Sequence, residues 1–309
     1  MPRVLVVGDV INDVLVQAPW PLALGADNPA VIRSRPGGSA ANQAAWMARL
    51  GLDVVFAGRV GAGDAGFHRR ELARFGVEPC LAADGSAATG TIVVLVGPDG
   101  ERTMITDRGA NLRLRPADVP AALLDGAALL HLTGYSFFEP QPRDVALGLL
   151  VEARRRGVPV TVDPGSAAFL AALEPGAFLG WTRGAAVCFP NLDEAAVLTG
   201  TAGAPDPHPA AGDPGAMAAA LAGYYGAVVV KLGADGAVCA AEGTAPARVA
   251  PEPVMVRDTT GAGDAFCAGF LAAWLAGAPL AQACAAAAKA AALAVSALGG
   301  RPAGTASDL

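Results

Sequence analysis

No two cysteines in this 309-residue chain are spaced as CxxC, and the five present (Cys80, Cys188, Cys239, Cys267 and Cys284) are scattered and odd in number. Neither a disulfide framework nor a zinc site is indicated, and a reducing, cytoplasmic setting is expected. Runs of basic residues are missing as well. With a net charge of −6 and a pI near 5.1, the chain is expected to bind neither nucleic acid nor anionic membrane, which leaves a small molecule as the partner. The N-terminal "MPRVLVVGDV" has no charged leader, long apolar core or small-residue cleavage site, so the mature chain is expected to begin there. Residues 281–298, "AQACAAAAKAAALAVSAL", are long and apolar, but they are built of alanine with Lys289 in the middle. They predict a buried or groove-lining helix rather than a membrane span. Internal repeats and low-complexity linkers are also lacking, and "TAGAPDPHPAAGDPG" (201–215) is expected to be a surface loop. "GDVIND", after the first apolar run, is no GxGxxG, which argues against a dinucleotide enzyme.

What the chain does have is alternation. "RVLVVGD", "DVVFAGRVG", "ALLHLTG", "VPVTVDPG", "AVCFPN" and "AVVVKLG" read as strands. Between them, "SAANQAAWMARLG", "DAGFHRRELARFG", "PRDVALGLLVEARRRG", "NLDEAAVLTG" and "PGAMAAALAGYYG" read as helices, the first ended by Gly51 in a C-terminal cap position. Repeated strand–helix units with continuously apolar strands imply an α/β fold, a mostly parallel central sheet with helices on both faces. Ligands then gather at the carboxyl ends of the strands. Two regions break the rhythm, 13–35 and 88–108, where apolar and polar residues alternate around turn signals such as "GPDGE". They predict inserted antiparallel strands, forming either a small lid sheet or an extension of the sheet edge.

Residues 257–277, "RDTTGAGDAFCAGFLAAWLAG", carry the chemistry. A glycine turn opening an apolar helix aims backbone N–H groups at one spot, and the helix dipole adds to them, which makes an anion hole. Glycine lets a phosphate approach closely. Donors fixed there stabilise charge on a moving phosphoryl group. Asp264 stands beside the hole; by itself it would also serve as an ordinary helix-end acid.

"PGGSAANQAAWMARLG" and "DTTGAGDAFCAGF" resemble the paired signatures of the ribokinase-like carbohydrate kinases, the PfkB family, and "GRVGAGDAG", "NLDEAAVLTG" and "VVVKLGADG" fall where that family has its GxGxDxxG, NxxE and LGxxG elements. The resemblance covers essentially the whole chain and implies a single domain over 1–309, with a doubly wound sheet and a β-sheet lid. It implies that Asp264 is the base accepting the substrate hydroxyl proton, with Gly261, Ala262 and Gly263 forming the anion hole. Asp13, Gly37, Gly38 and Asn42 are then the sugar-binding residues. Asn191 and Glu194 would organise hydrated Mg²⁺ around ATP, and Lys231, Gly233 and Gly236 would lie along the nucleotide, with Gly233 the better contact and Lys231 as readily a solvated side chain. Asp258 and Thr260, with backbone carbonyls of Ala294, Ala297 and Gly299, resemble the family's monovalent-cation site, which implies K⁺.

The resemblance also frames the acceptor. Relatives acting on sugar phosphates tend to have lysine where Ser39 stands, so a neutral monosaccharide such as a pentose is expected, phosphorylated at a hydroxymethyl group. A nucleoside comes second. A sugar acid of the 2-keto-3-deoxygluconate type comes third, with Arg108 the reason to keep it, since Arg102 and Arg108 in "GERTMITDRGANLRL" either reach an acidic substrate group from the lid region or are solvated strand residues. A catalytically silent sugar sensor is the non-enzyme alternative. His131 and Trp46 are expected to be core residues without a role in chemistry. The apolar "TIVVLV" face of the inserted strands is an aggregation liability unless covered, which predicts lid closure and a homodimer through the lid.

Overall fold

The computed structural model describes residues 1–97, 102–173, 176–201 and 212–304. The chain runs β1 (Arg3–Val7), β2 (Ile11–Gln17), β3 (Val31–Gly37), α1 (Ser39–Arg49), β4 (Asp53–Gly61), α2 (Ala65–Ala73), β5 (Glu78–Asp84), β6 (Thr89–Val96), β7 (Arg102–Gly109), β8 (Leu129–Thr133), α3 (Pro140–Arg156), β9 (Val160–Asp163), α4 (Ala167–Ala171), α5 (Ala177–Thr182), β10 (Val187–Cys188), α6 (Leu192–Thr199), α7 (Pro214–Ala222), β11 (Ala227–Lys231), β12 (Ala237–Ala241), β13 (Ala247–Val249), α8 (Ala262–Leu275) and α9 (Leu280–Val295). The turn expected at "GPDGE" and most of the expected 201–215 loop lie outside the described residues, as does the side chain of Arg102.

The main sheet has the order β13-β12-β11-β10-β9-β8-β1-β4-β5. It is parallel from β11 through β5, and an antiparallel edge is added by β12 and β13. Strand alternation builds two cores from one strand. Val4 and Val6 of β1 face α1, α8 and α9, whereas Leu5 and Val7 face α3, α6 and α7. Alanine dominates the α8–α9 contact, and Gly269 sits so close to Ala290 that a Cβ there would meet it at 2.6 Å. The alanine-rich segment expected as a buried or groove-lining helix is α9, and no helix among the described residues is long and apolar enough to cross a membrane.

The inserted segments form a separate four-stranded sheet, β3-β2-β6-β7, which makes them a lid rather than an edge extension. The expectation of antiparallel strands holds for β2/β3 and β6/β7, but β2 and β6 pair in parallel, Ile11 opposite Gly90 through Gln17 opposite Val96. The reason is connectivity. β2 leaves the sheet directly after β1, whereas β6 arrives from β5 at the far edge, so no hairpin joins them. Order along the main sheet reverses beside β1, with β8 on one side and β4 on the other. The crevice at the carboxyl ends of these strands is where such folds bind ligands.

Candidate active site

Asp264 lies in the first turn of α8, whose N-cap is Gly261. Gly261 has φ 75°, and a Cβ on it would stand 2.5 Å from the Gly300 backbone, so conformation and space both require glycine there. The first-turn N–H groups have no acceptors within the helix, although that of Ala262 donates back to the Thr259 carbonyl at 3.3 Å. Ser39 Oγ donates to Asp264 Oδ1 at 2.7 Å and Asn42 Nδ2 to Oδ2 at 3.1 Å, with Gln43 Nε2 3.2 Å from Oδ1. Burial raises the Asp264 carboxyl to about 6, against the lowering effect of the Ser39 and Asn42 hydrogen bonds. Three donors therefore hold a carboxylate that takes up a proton more readily than an ordinary aspartate.

Beneath it lies a buried polar network. Gln43, fully buried, places Nε2 2.9 Å from Asp163 Oδ2 and 3.1 Å from Ser39 Oγ as well as near Asp264. The carboxylates fix which end of the amide faces them, so its Oε1 accepts a short hydrogen bond from His131 Nε2. Burial lowers His131 to about 4, leaving the ring neutral, and Thr161 Oγ1 donates to Nδ1 at 2.7 Å. Asp163 completes the chain by pairing with Lys231 Nζ at 3.0 Å, while the Cys267 thiol approaches Asp163 at 3.4 Å. Lys231 is thus no solvated side chain. Burial alone would lower its pKa, but Asp163 leads the groups that raise it above the usual lysine value.

Two cavities flank the α8 N-terminus. One, about 150 Å³, is lined by Asp9, Asp13, Gly38, Ser39, Asn42, Thr260, Gly261 and Asp264, and by lid residues including Ile92, Met104 and Arg108. Asp13 enters it from β2, its carboxylate packed against Gly37 where a side chain would collide. Burial, reinforced by Asp9 and Asp264 and opposed by Arg301, raises Asp13 to about 7. Asp9 is tied down by the α1 N-terminus, accepting from Ser39 N at 3.0 Å and Ala40 N at 3.2 Å.

The other cavity, about 430 Å³, is lined by Lys231, Gly233, Gly236, Thr259, Ala262, Gly263 and Phe266, with Val254, Val256, Ala288, Ala291 and Ala292 as apolar walls. Gly233 has φ 59° and open space where a side chain would project, and Gly236 has φ 84° with the Val249 carbonyl packed against it. Lys231 Nζ reaches the first turn of α8, 3.5 Å from the position a Gly263 Cβ would take. Asn191 and Glu194 line neither cavity. They form a capping box on α6, Asn191 N donating to Glu194 Oε2 at 2.8 Å and Glu194 N to Asn191 Oδ1 at 2.8 Å. Burial raises Glu194 to about 7, opposed by Lys231. No three acid, histidine or cysteine side chains among the described residues converge as a direct metal cage. Glu194 with its oxygens engaged, in electrostatic reach of Asp163 and Lys231, suits a cation that keeps its water shell, as Mg²⁺ does.

The Asp258 loop closes the site from behind. Asp258 Oδ1 accepts from Thr260 N at 2.9 Å and Thr260 Oγ1 at 2.6 Å, and Oδ2 accepts from Gly299 N at 2.9 Å. Ala294 lies in the last turn of α9, where its carbonyl accepts from Ala297 N at 3.1 Å. Trp46 packs in the core as expected and donates to the Gly300 carbonyl at 2.9 Å.

Sequence reasoning missed Asp9, Gln43, Asp163 and Arg301. Arg301 is buried beside Asn42 and Gly37, its guanidinium 3.4 Å from both Asn42 Oδ1 and the Gly37 carbonyl. Gln43 and Asp163 were visible in quoted segments, one position after Asn42 and at the end of "VPVTVD", but only their convergence marks them.

Residues 1–305 match the model of the pfkB family carbohydrate kinases. The chain is 33% identical, over 289 residues covering 89% of it and 86% of the relative, to an ATP-dependent ribose-1-phosphate kinase of Halopiger xanaduensis. It also matches a bifunctional HldE protein of Caulobacter vibrioides, 30% identical over 91% of the chain, but spans only 57% of that relative. Adenosine kinase from Sinorhizobium meliloti superposes with a TM-score of 0.85 at 25% identity, covering 99% of this chain and 98% of that one. Arabidopsis thaliana ribokinase, solved with ribose and ATP, superposes with a TM-score of 0.75 at 26% identity over 97% and 95% of the two chains.

Proposed function

The chain belongs to the pfkB family of carbohydrate kinases and is a phosphotransferase with an alcohol acceptor, and from that premise we propose that it phosphorylates the hydroxymethyl group of a small sugar with MgATP. The observation that carries this is the position of Asp264, a carboxylate fixed by three donors between two cavities at a helix N-terminus. The sugar hydroxyl lies against Asp264 in the smaller cavity, with Asp13 and Asn42 on its other hydroxyls. Its oxygen attacks the γ-phosphorus of ATP, the bond from that phosphorus to the β-phosphate bridge breaks, and the hydroxyl proton passes to Asp264. Sugar phosphate and ADP result. The Gly261–Gly263 N–H groups and Lys231 face the charge that develops on the phosphoryl oxygens. Mg²⁺, when bound, neutralises phosphate charge, and Glu194 and Asn191 would hold its waters.

Ribose 1-phosphate, ribose and adenosine, for which the relatives above are named, each present a free hydroxymethyl group. A cavity of about 150 Å³ takes one small ring, which supports a monosaccharide over a nucleoside. The expectation of a neutral sugar rested on Ser39, whose hydroxyl faces Asp264 and leaves a group at the far end of the cavity to other residues. A silent sensor would have no need of a buried, pKa-raised base.

K⁺ behind the Asp258 loop, a cytoplasmic setting suited to five free cysteines, and a dimer through the lid complete the proposal. The lid argument is exposure, since Val31, Ile32, Met104 and Ile105 are 52–62% exposed. The test is ADP release from MgATP over pentoses, hexoses, nucleosides, sugar acids and sugar phosphates, with Asp264→Asn as control. No Asp264-dependent turnover on any of them removes the kinase proposal, and a monomer in solution removes the dimer.

A further inference from the structure

The smaller cavity has an acidic end and one cationic wall. Asp13 and Asp264 stand at the α8 end, and Arg108 stands on the lid. Arg108 Nη1 is buried and has no hydrogen-bond partner. A buried guanidinium nitrogen without an acceptor is costly, and such groups are ordinarily satisfied by protein, water or ligand. The nearby acids do not satisfy it. Asp9, which lines the cavity with Arg108, has both its oxygens engaged by the α1 N-terminus.

Arg108 is also held in place. Its guanidinium carbon lies 4.9 Å from the centre of the Tyr135 ring, and the Tyr135 hydroxyl donates to the Gly165 carbonyl at 2.8 Å, which fixes the ring. The Arg108 carbonyl accepts from Asn111 Nδ2 at 2.9 Å. Asn111 in turn is locked to Val10, accepting from its N–H at 2.9 Å and donating to its carbonyl at 2.8 Å. The arginine therefore sits at the anchored root of the lid, where β7 meets the exit of β1, and not at its tip. A planar fork of donors held over one wall of a sugar-sized cavity matches a carboxylate or phosphate by paired hydrogen bonds, and it gives little to a neutral hydroxyl.

We infer that the acceptor sugar carries an anionic substituent, a phosphate ester or a carboxylate, away from the hydroxymethyl group that is phosphorylated, and that Arg108 binds it. This rests on the kinase function proposed above. Asp13 and Asn42 then orient the ring between the base and the arginine. The overall preference for an anion comes from the lid, and position 39, turned toward the base, has no part in it.

Wild-type ADP release is compared for ribose and adenosine as neutral acceptors, ribose 1-phosphate as the phosphate arm and 2-keto-3-deoxygluconate as the carboxylate arm. One anionic arm is expected to exceed both neutral acceptors in kcat/KM on the order of 10–100-fold, the range of a charge-assisted contact, and the arm that does so identifies the substituent. Arg108→Gln shrinks that ratio toward one, and Arg108→Lys, which keeps charge without the fork, keeps part of it. The inference is overturned if ribose or adenosine matches both acids, or if the ratio survives Arg108→Gln in a variant melting like wild type. Turnover of neutral sugars that needs Asp264 would leave the kinase proposal standing while Arg108 fails. Absence of Asp264-dependent turnover on every acceptor overturns both.

Discussion

The two cavities that meet at the first turn of α8 are built from opposite materials. The lining of the smaller includes Asp9, Asp13, Asn42, Asp264 and Arg108, side chains whose charge and direction matter. The larger is mostly glycine, alanine, valine and proline, with Lys231 and Glu252 the charged residues of the lining. A site that takes a proton needs titratable groups in a fixed pose, whereas a site that cradles phosphates through backbone N–H groups needs room and a permitted backbone. Substitutions on the first side should therefore change chemistry with the fold intact. On the second side the same size of change should act through space.

The largest effect expected is at Asp264. Asp264→Asn keeps size and much of the hydrogen bonding with Ser39 and Asn42 but cannot accept the proton, so transition-state stabilisation is lost with ground-state binding nearly unchanged. kcat should fall on the order of 10²–10⁴-fold with nucleotide affinity little altered. Steady-state kinetics with equilibrium nucleotide titration reads both. A folded variant turning over within a few-fold of wild type would make Asp264 a helix-end acid only.

Two glycines at the first turn of α8, Gly261 lining the smaller cavity and Gly263 the larger, test what a change of space does there. Gly261→Ala meets both φ 75° and the Gly300 backbone 2.5 Å away, so stability should drop by about 1–3 kcal/mol and kcat by ~10²-fold as the N–H groups lose their aim. Gly263→Ala meets only the Lys231 ammonium at 3.5 Å, an ordinary contact. Its fold should survive while nucleotide binding weakens, because the methyl group occupies the approach to the anion hole. Thermal melts and ATP titration of the two variants separate these outcomes, and equal stability losses would sink the distinction.

These glycines explain what was legible beforehand. A backbone requirement leaves a local signature, so "TTGAGD" pointed to the glycine turn that opens α8, and apolar runs with glycine stops pointed to the doubly wound sheet. Asp264, Asn42 and Asp13 came out of the same short motifs and do share a cavity. The Gln43–Asp163–Lys231 network was hidden because its members come from α1, β9 and β11, far apart in sequence, and a buried glutamine has no spacing to betray it. The parallel β2/β6 pairing escaped for a related reason, since alternation marks a strand but not its partner.

Acidity offers a smaller effect. As a base Asp264 must be ionised, and with its carboxyl raised to about 6 the acid limb of kcat/KM should have its midpoint near that pH. Gln43→Glu puts another carboxylate beside it and should move the limb upward, a shift that a purely structural role for Gln43 would not produce. Stability responds in the opposite sense. Asp13 and Asp264 have folded pKa values of about 7 and about 6 against an ordinary 3.8. They bind protons more tightly when folded, so their contribution is fully present below pH 3.8 and is lost as the pH rises through 6 to 7. Asp13→Asn removes one of the two, and its melting temperature should fall less between pH 5 and pH 8 than that of wild type. An equal fall in both would show that Asp13 is not held in its protonated form by the fold.

The smallest effect concerns the loop that both cavities share. Thr259 lines the larger cavity and Thr260 the smaller, so anything that orders this loop acts on both at once. Asp258 already ties it, accepting from the Thr260 N–H and hydroxyl and from Gly299 N, while the Val295 carbonyl accepts from Arg257 N at 2.7 Å and Asp258 N at 3.2 Å. A monovalent cation behind the loop would thus refine a conformation that hydrogen bonds largely hold. Stimulation by K⁺ over Na⁺ should amount to a few-fold, falling on kcat more than on the KM of either substrate, because the anion hole that the loop precedes works in the transition state. Rates are compared in buffers whose monovalent cation is potassium, sodium or tetramethylammonium. Equal rates in all three would mean that Asp258 and its donors set the anion hole unaided, and that the loop needs no ion to serve either cavity.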